Sequence, residues 1–377
     1  MRLTLASCVV LLTACSPSAP QPAAAERGAL TVPPGFHVEV FAETGSTPRL
    51  LAFSPGGVLL TTAMADGKVL ALPDTKRNGR AERVVPVLSE LNAPHGIAFH
   101  EGKLYIAETN RVVRYDWDEA NLRASNPKPL ADLPGGGGHF TRTLVFHQGK
   151  MYVSIGSTCN VCREQDERRA AVMEFNPDGS GGRVFARGLR NAVGLAVSPQ
   201  TNTVWVSDNG RDWLGDNLPP EEINDLGASG GDFGWPFCYG DRTPDTEFSR
   251  EATTRCPSTI PAKFQMQAHS APLGIAFYTG TQFPPEYRGD LFVAFHGSWN
   301  RSVPTGYKVV RIEVNERGEA TGISDFLTGF IAPGETRKGR WRGRPVGLAV
   351  GPEGALYVSD DSREGRGKIY RVTWEGK

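Results

Sequence analysis

The chain has 377 residues, 41 basic and 41 acidic side chains, and a formal net charge of zero. Nothing in that balance suggests a basic groove for nucleic acid or a polybasic membrane surface, and the expectation is no nucleic-acid partner. With 44 Gly and 28 Pro, the chain is suited to many short strands and turns rather than to long helices.

The first predicted element is a targeting segment. Arg2 precedes an apolar run over 3–12, too short to cross a bilayer comfortably, which ends in Leu12-Thr13-Ala14-Cys15. This resembles the bacterial lipoprotein signal and predicts a signal peptide over 1–14, cleavage before Cys15 and lipidation of its thiol. Ser16 is compatible with sorting to the outer membrane. The expectation is an exported protein, lipid-anchored to the bacterial envelope and facing the periplasm, with no other membrane contact. A Pro- and Ala-rich tether follows over 15–34.

Cys8 falls in the signal and Cys15 at the anchor, leaving Cys159, Cys162, Cys238 and Cys256. An even remainder in an oxidising compartment reads as two disulfides, Cys159–Cys162 and Cys238–Cys256. Cys159-Asn160-Val161-Cys162 also has the spacing of a redox or zinc half-site, but the chain has no second half-site of that spacing. Arg163 rather than His follows it, which removes c-type haem attachment.

From residue 49 onward one hairpin recurs six times: RLLAFSPGGVLLTTA, HGIAFHEGKLYIAE, RTLVFHQGKMYVSIGS, VGLAVSPQTNTVWVSDNG, LGIAFYTGTQFPPEYRGDLFVAFHG and VGLAVGPEGALYVSDD. Phe53, Phe99, Phe146, Val197, Phe277 and Val350 fall in register, at intervals of 46, 47, 51, 80 and 73 residues by subtraction. The first three intervals each match one four-stranded propeller blade, and the longer two leave room for insertions, chiefly over 227–270. FHVEVF at 36–41 reads as a strand that completes the last blade and closes the ring, removing exposed edges. The expected fold is all-β, a six-bladed β-propeller over 35–377.

In a hairpin, the start of the first strand and the end of the second lie on one side. One face of the ring therefore collects Arg49, then His95 with Glu108, then His139 and Arg142 with Ser157. It also collects Arg190 and Asn191 with Asp208, Asn209 and Gly210, His269 with His296, and Arg342 and Arg344 with Asp360. Several arginines around a funnel suit an anionic planar ligand, since guanidinium binds carboxylate bidentately and stacks on flat rings. Gly210 either turns a carbonyl outward, as a hard cation such as Ca²⁺ needs, or simply permits a turn. The Gly135–Gly138 run lacks the Lys and helix of a phosphate loop and reads as backbone passing close to a ligand beside His139. Gly227-Ala228-Ser229-Gly230-Gly231 fits G-x-S-x-G, but GGDFGWP cannot open the helix that a nucleophile elbow needs. His100 and His147 fall in hairpin turns on the opposite face and read as solvated. His95 reads either as pocket wall or as a structural hydrogen-bonder.

The combination GHFTRTLVF, GLRNAVGLAV, SDNGRDW…EEIN, GGDFGWP and GRPVGLAV…LYVSDD resembles the soluble sugar dehydrogenases that use pyrroloquinoline quinone (PQQ), above all the sorbosone dehydrogenase-like branch. The resemblance covers the chain beyond the tether. It implies PQQ and Ca²⁺ as cofactors, and an aldose or sugar aldehyde of sorbosone type oxidised to lactone or acid. Electrons would leave to an external cytochrome or quinone. By position, His139 matches the catalytic base, and Arg190 and Asn191 match the pair beside the reacting carbonyls of PQQ. Gly210 and Arg211 match the positions whose carbonyls hold Ca²⁺. Arg342 and Arg344 match paired cofactor arginines, and His269 falls at a cofactor-facing position where the family has a hydroxyl residue. Arg211 stands where proline is frequent, and FHGSWNRS lacks a cofactor-facing lysine, leaving Asn300 or Arg301 in its place. Thr141-Arg142 replaces a glycine-containing stretch. His95, Arg142 and His296 are the expected substrate-pocket residues. Two other readings use the same ring: a cofactor-free propeller serving as a binding scaffold, and a metal-dependent lactonase, which would need converging carboxylates.

Overall fold

A computed structural model describes residues 30–362 and 367–376. The expected signal peptide, the Cys15 anchor and most of the tether lie outside the described residues.

Each of the six hairpins heads one sheet of four antiparallel strands, to which blade 3 adds a short fifth at its edge. Blade 1 comprises Pro48–Phe53, Leu59–Ala63, Lys68–Leu72 and Val85–Leu88, and blade 2 comprises Gly96–His100, Lys103–Glu108, Arg111–Asp118 and Arg123–Asp132. Blade 3 runs Arg142–His147, Lys150–Ile155, Ala171–Phe175 and Arg183–Arg187; blade 4 runs Ala192–Val197, Val204–Asp208, Glu221–Asp225 and Phe264–Met266. Blade 5 is built from Pro272–Phe277, Leu291–Phe295, Lys308–Val314 and Ala320–Leu327. Blade 6 takes Pro345–Val350, Leu356–Asp360 and Lys368–Trp374 from the end of the chain and Phe36–Glu43 from its beginning, with Val38 opposite Val372. Ring closure by the 36–41 segment is thus as expected.

The repeated hairpin carries its own packing instructions. The glycine in VGLAV lets neighbouring innermost strands approach backbone to backbone. A Cβ on Gly194 would stand 2.2 Å from the Leu273 carbonyl, and one on Gly347 would stand 2.3 Å from the Arg49 carbonyl. A hydroxyl near the end of the second strand then bridges to the next blade: Ser207 donates to Leu273 O at 2.7 Å, Ser359 to Arg49 O at 2.5 Å and Thr62 to His95 O at 2.8 Å. Farther out, apolar side chains fill each blade-to-blade wedge. Leu50, Leu60 and Val69 meet Ile97, Leu104 and Ile106 between blades 1 and 2, and Phe292, Val309 and Phe326 meet Leu348, Leu356 and Val358 between blades 5 and 6. Burying such side chains is the main favourable term that holds the ring.

Both disulfides form as paired in the sequence, Cys159–Cys162 and Cys238–Cys256. The second lies in the insertion after blade 4's third strand, which also contains the short helix Ser249–Arg255 and sends Gly231–Asp232 to the edge of blade 3 in parallel.

Candidate active site

His139 follows the glycine run and precedes the innermost strand of blade 3. The run is clamped to the end of the blade's second strand: Gly138 N–H donates to Thr158 O at 2.8 Å, and a Cβ on Gly137 would lie 2.9 Å from Thr158 Cα. Arg169 also donates to the carbonyls of Gly135 and Gly136. The glycines therefore allow a tight backbone stack that delivers His139 to the channel mouth.

The imidazole's tautomer follows from its partners. Nδ1 lies 3.1 Å from the Ser157 carbonyl and 2.8 Å from its hydroxyl. The hydroxyl donates its own hydrogen to Cys159 O at 2.7 Å, so both groups can only accept from Nδ1. The proton sits on Nδ1 and leaves the Nε2 lone pair available; among the described residues no protein group meets Nε2. Burial, then the charge of Arg190, with a smaller push from Arg142, lowers the His139 pKa from 6.5 to about 3.

Those cations occupy different settings. Arg190 is buried and gives Nε to Asn160 O at 2.8 Å, Nη2 to Asn160 Oδ1 at 2.9 Å and Nη1 to Asn209 O at 3.1 Å; Asp212 pairs with it at 3.3 Å. Asn191 faces His139 across Gly156, whose hypothetical Cβ would lie 2.5 Å from His139 Cβ and 2.9 Å from Asn191 Oδ1. Arg142 departs from expectation. It is wholly buried, so it is not a pocket wall, and its guanidinium donates to the carbonyls of His139, Thr141 and Pro134 with no carboxylate among the described residues to balance it. Burial, then Arg169, lowers its pKa to about 9. Its charge raises the positive potential around His139 without touching a ligand.

The turn after blade 4's second strand is held from below. Glu221 accepts from Gly210 N–H at 2.7 Å and from Ala271 N–H at 3.1 Å. Asp208 accepts from the N–H groups of Arg190 and Asn191 at 2.9 and 2.6 Å, and Glu222 from Gly240 N–H at 2.5 Å. Burial raises the pKa of all three carboxyls, that of Glu221 to about 7. Arg211 turns its side chain to Asp245 of the insertion, 2.7 Å away, so it can offer the channel only its carbonyl. Among the described residues no protein donor reaches the carbonyl oxygens of Gly210 or Arg211. Two uncommitted carbonyls suit a hard cation, and the positive potential at His139 and Arg190 suits an anionic ligand beside it.

The remaining expected residues separate. His95 is wholly buried and is the structural hydrogen-bonder rather than pocket wall: its ring contacts Arg49 Nη2, Arg142 O and Thr143 Oγ1, each at 3.3 Å. Burial, then Arg49, keeps it neutral. His296 lies 2.9 Å from Asp361, which also pairs with Arg49 at 2.7 Å. Burial lowers the His296 pKa to about 4, so its Nε2–H donates to an ionised Asp361. A chain of buried and part-buried contacts thus runs from blade 5 through blades 6, 1 and 2 to blade 3. Arg344 donates to the carbonyls of His296 and Gly297 at 3.0 Å each and packs over Tyr307 and Trp341, whereas the Arg342 side chain is exposed. His269 Nε2 donates to Gly215 O at 2.8 Å. Glu108 faces Asn92 N–H and Arg111 instead of His95. On the far face, His100 stacks on Phe146 and His147 contacts Asn202 O at 2.9 Å, so neither is merely solvated.

Sequence reasoning passed over Asn160, Asp212 and Asp361. Asn160 was legible only as the filling of a cysteine pair, and Asp361 as the neighbour of the strand-ending Asp360.

Comparison with known proteins adds the family. The chain is 33% identical over 361 residues to an uncharacterized protein of Borreliella burgdorferi, covering 92% of this chain and 91% of that one. It is 27% identical over 410 residues to the pyrroloquinoline quinone-dependent pyranose dehydrogenase of Coprinopsis cinerea, over 92% of this chain but only 54% of that longer protein. The holo form of the PQQ domain of the Coprinopsis cinerea pyranose dehydrogenase superposes with a TM-score of 0.79 at 25% identity, covering 94% of this chain and 98% of that domain. The TrAA12-like family model matches residues 30–375, and the chain belongs to that family.

Proposed function

We propose that this chain is a PQQ- and Ca²⁺-dependent dehydrogenase that oxidises an aldose or sugar aldehyde to the lactone or acid. The observation that carries the reading is His139: its proton is held on Nδ1, its Nε2 lone pair is open, and the surrounding potential is positive. Bound there, PQQ would supply a two-electron hydride acceptor and Ca²⁺ a Lewis acid beside it. His139 Nε2 would take the hydroxyl proton of the cyclic aldose, or of the hydrate of a sugar aldehyde, so that the substrate C–H and O–H bonds break as the C=O of the lactone or acid forms. Ser157 and the Cys159 carbonyl keep the imidazole in the accepting tautomer. Arg190 and Asn191 would orient the ligand beside it, and the Gly210 and Arg211 carbonyls would hold the ion. A sorbosone-type substrate and an external cytochrome or quinone acceptor complete the reading. The N-terminal pattern ending in Cys15 supports export and lipid anchoring at the periplasmic side of the outer membrane.

The lactonase alternative fits poorly, because Asp208, Glu221 and Glu222 point into backbone N–H groups rather than toward a shared ion. Reconstitution decides between enzyme and scaffold. The purified chain, supplied with PQQ and Ca²⁺, should bind the quinone by absorbance titration and reduce a dye with an aldose panel. Absence of both binding and turnover would leave the propeller as a scaffold.

A further inference from the structure

Two tryptophans stand apart from the buried aromatics. Trp213 follows the second strand of blade 4 and is 67% exposed; Trp299 follows the second strand of blade 5 and is 58% exposed. Both loops rise on the channel-mouth face, and the rings meet edge to face with centroids 5.1 Å apart. Trp213 holds φ at 73°, a strained conformation for a bulky residue that tends to mark functional sites. The loops beneath the rings are fixed. Asp212 accepts from Asn300 Nδ2 at 2.9 Å and pairs with Arg190, while Arg301 donates to Asp216 O at 2.7 Å and Ser302 N–H to Asp216 Oδ1 at 2.9 Å. The aromatic pair is therefore pre-positioned, contiguous through Asp212 with the candidate site, and more exposed than the part-buried His139.

We propose that Trp213 and Trp299 form an outer saccharide subsite that holds the sugar unit next to the one presented to His139. This rests on the sugar-dehydrogenase reading. A pyranose ring offers an apolar C–H face to an aromatic ring and a rim of neutral hydroxyls. The acidic groups here are already engaged, Asp212 by Arg190 and Asn300 and Asp216 by Ser302, so the surface suits a neutral ligand. Two rings also expose far less than the roughly 800 Å² per partner of a stable protein interface, which argues against a second copy of the chain.

The test is calorimetric titration of the full chain with glucose and with β-1,4- and α-1,4-linked glucose oligomers of two and three units. In at least one series the disaccharide should bind about tenfold tighter than glucose, the scale of a good aromatic contact. Trp213→Ala and Trp299→Ala should each remove most of that advantage, and the Phe variants should keep most of it. Equal affinity at every length in both series overturns the proposal. So does an unchanged length dependence in the double Ala variant, including the case where that variant only slows reduction of an external acceptor. Where an Ala variant does not fold, the wild-type length series and the Phe variants decide. PQQ titration keeps the two readings separate: quinone binding without a length effect removes only the subsite, and a length effect without quinone binding removes only the cofactor reading.

Discussion

Asn160 and Arg190 are tied twice, the Asn160 carbonyl accepting Arg190 Nε at 2.8 Å and its Oδ1 accepting Nη2 at 2.9 Å. The same Oδ1 accepts the Asp212 N–H at 2.7 Å. Asn160 sits inside the loop closed by Cys159–Cys162, and the Cys159 carbonyl holds the hydroxyl that orients His139. One short bridged loop therefore supports both the base and the cation beside it.

The two disulfides should consequently differ in what their loss does. Their sequence separations are 3 and 18. Chain entropy alone assigns about 2 kcal/mol to the short loop and about 3 kcal/mol to the long one. Cys159→Ser/Cys162→Ser should lose the smaller share of thermal stability but most of its turnover and quinone affinity. Cys238→Ser/Cys256→Ser should show the reverse ranking. Melting curves and dye-reduction rates on both double variants check this, and equal activity in the two would remove the supporting role of the short loop.

His139→Gln keeps a polar side chain of similar reach but no proton acceptor of imidazole type. Turnover should fall by about two to four orders of magnitude, while quinone binding, which rests on Arg190 and the Gly210 turn, changes little. Ser157→Ala should act through His139 by freeing the ring to change tautomer. Its signature is a lower kcat with an altered pH–rate profile and a KM close to wild type. A near-normal kcat in His139→Gln would show that another group takes the proton.

The fold was legible because propeller blades repeat at a scale that survives divergence: an innermost strand with glycine, a tight turn, and a second strand ending in a small hydroxyl and a carboxylate. The face bearing the candidate site was placed by hairpin geometry alone. What could not be read was which way a strand-end side chain turns. Asp360 and Asp361 are adjacent, yet Asp360 accepts from Arg344 N–H at 2.7 Å while Asp361 pairs with Arg49 and His296. Arg142 opens its strand and His95 stands just before its own, as the pattern required, but both point into the protein, where a one-residue change of face sends a side chain from channel to interior. Asn160 and the exposed tryptophans lie in loops, whose path no periodicity encodes.

That adjacent pair of aspartates offers a contrast in stability. Asp361→Asn leaves Arg49 buried opposite a neutral group, and breaking such a pair costs about 3–5 kcal/mol. Asp360 accepts two backbone N–H groups, an arrangement an Asn Oδ1 can partly keep, and burial already raises its pKa to about 6. Urea unfolding should rank Asp361→Asn well below Asp360→Asn. Equal midpoints would deny the Arg49–Asp361–His296 chain its role in joining blades 5, 6 and 1.

Protonation of His139 should be visible in folding itself. In the unfolded chain this imidazole takes a proton near its ordinary pKa of 6.5, whereas burial, Arg190 and Arg142 keep it neutral in the folded chain down to about 3. Its contribution is therefore fully present above pH 6.5 and is lost as pH falls from there toward 3. His296, lowered to about 4, acts in the same direction, while Glu221, raised to about 7, acts in the opposite one by relieving buried charge as it protonates. The net pH profile mixes these groups, but the difference between wild type and His139→Gln isolates one of them. In unfolding free energies measured at pH 4, 5, 6 and 8, wild type should lose stability relative to His139→Gln as pH falls, at up to about 1.4 kcal/mol per pH unit for the single proton. Parallel profiles would mean that His139 titrates normally in the fold, and that the positive potential assigned to Arg190 and Arg142 does not act on it.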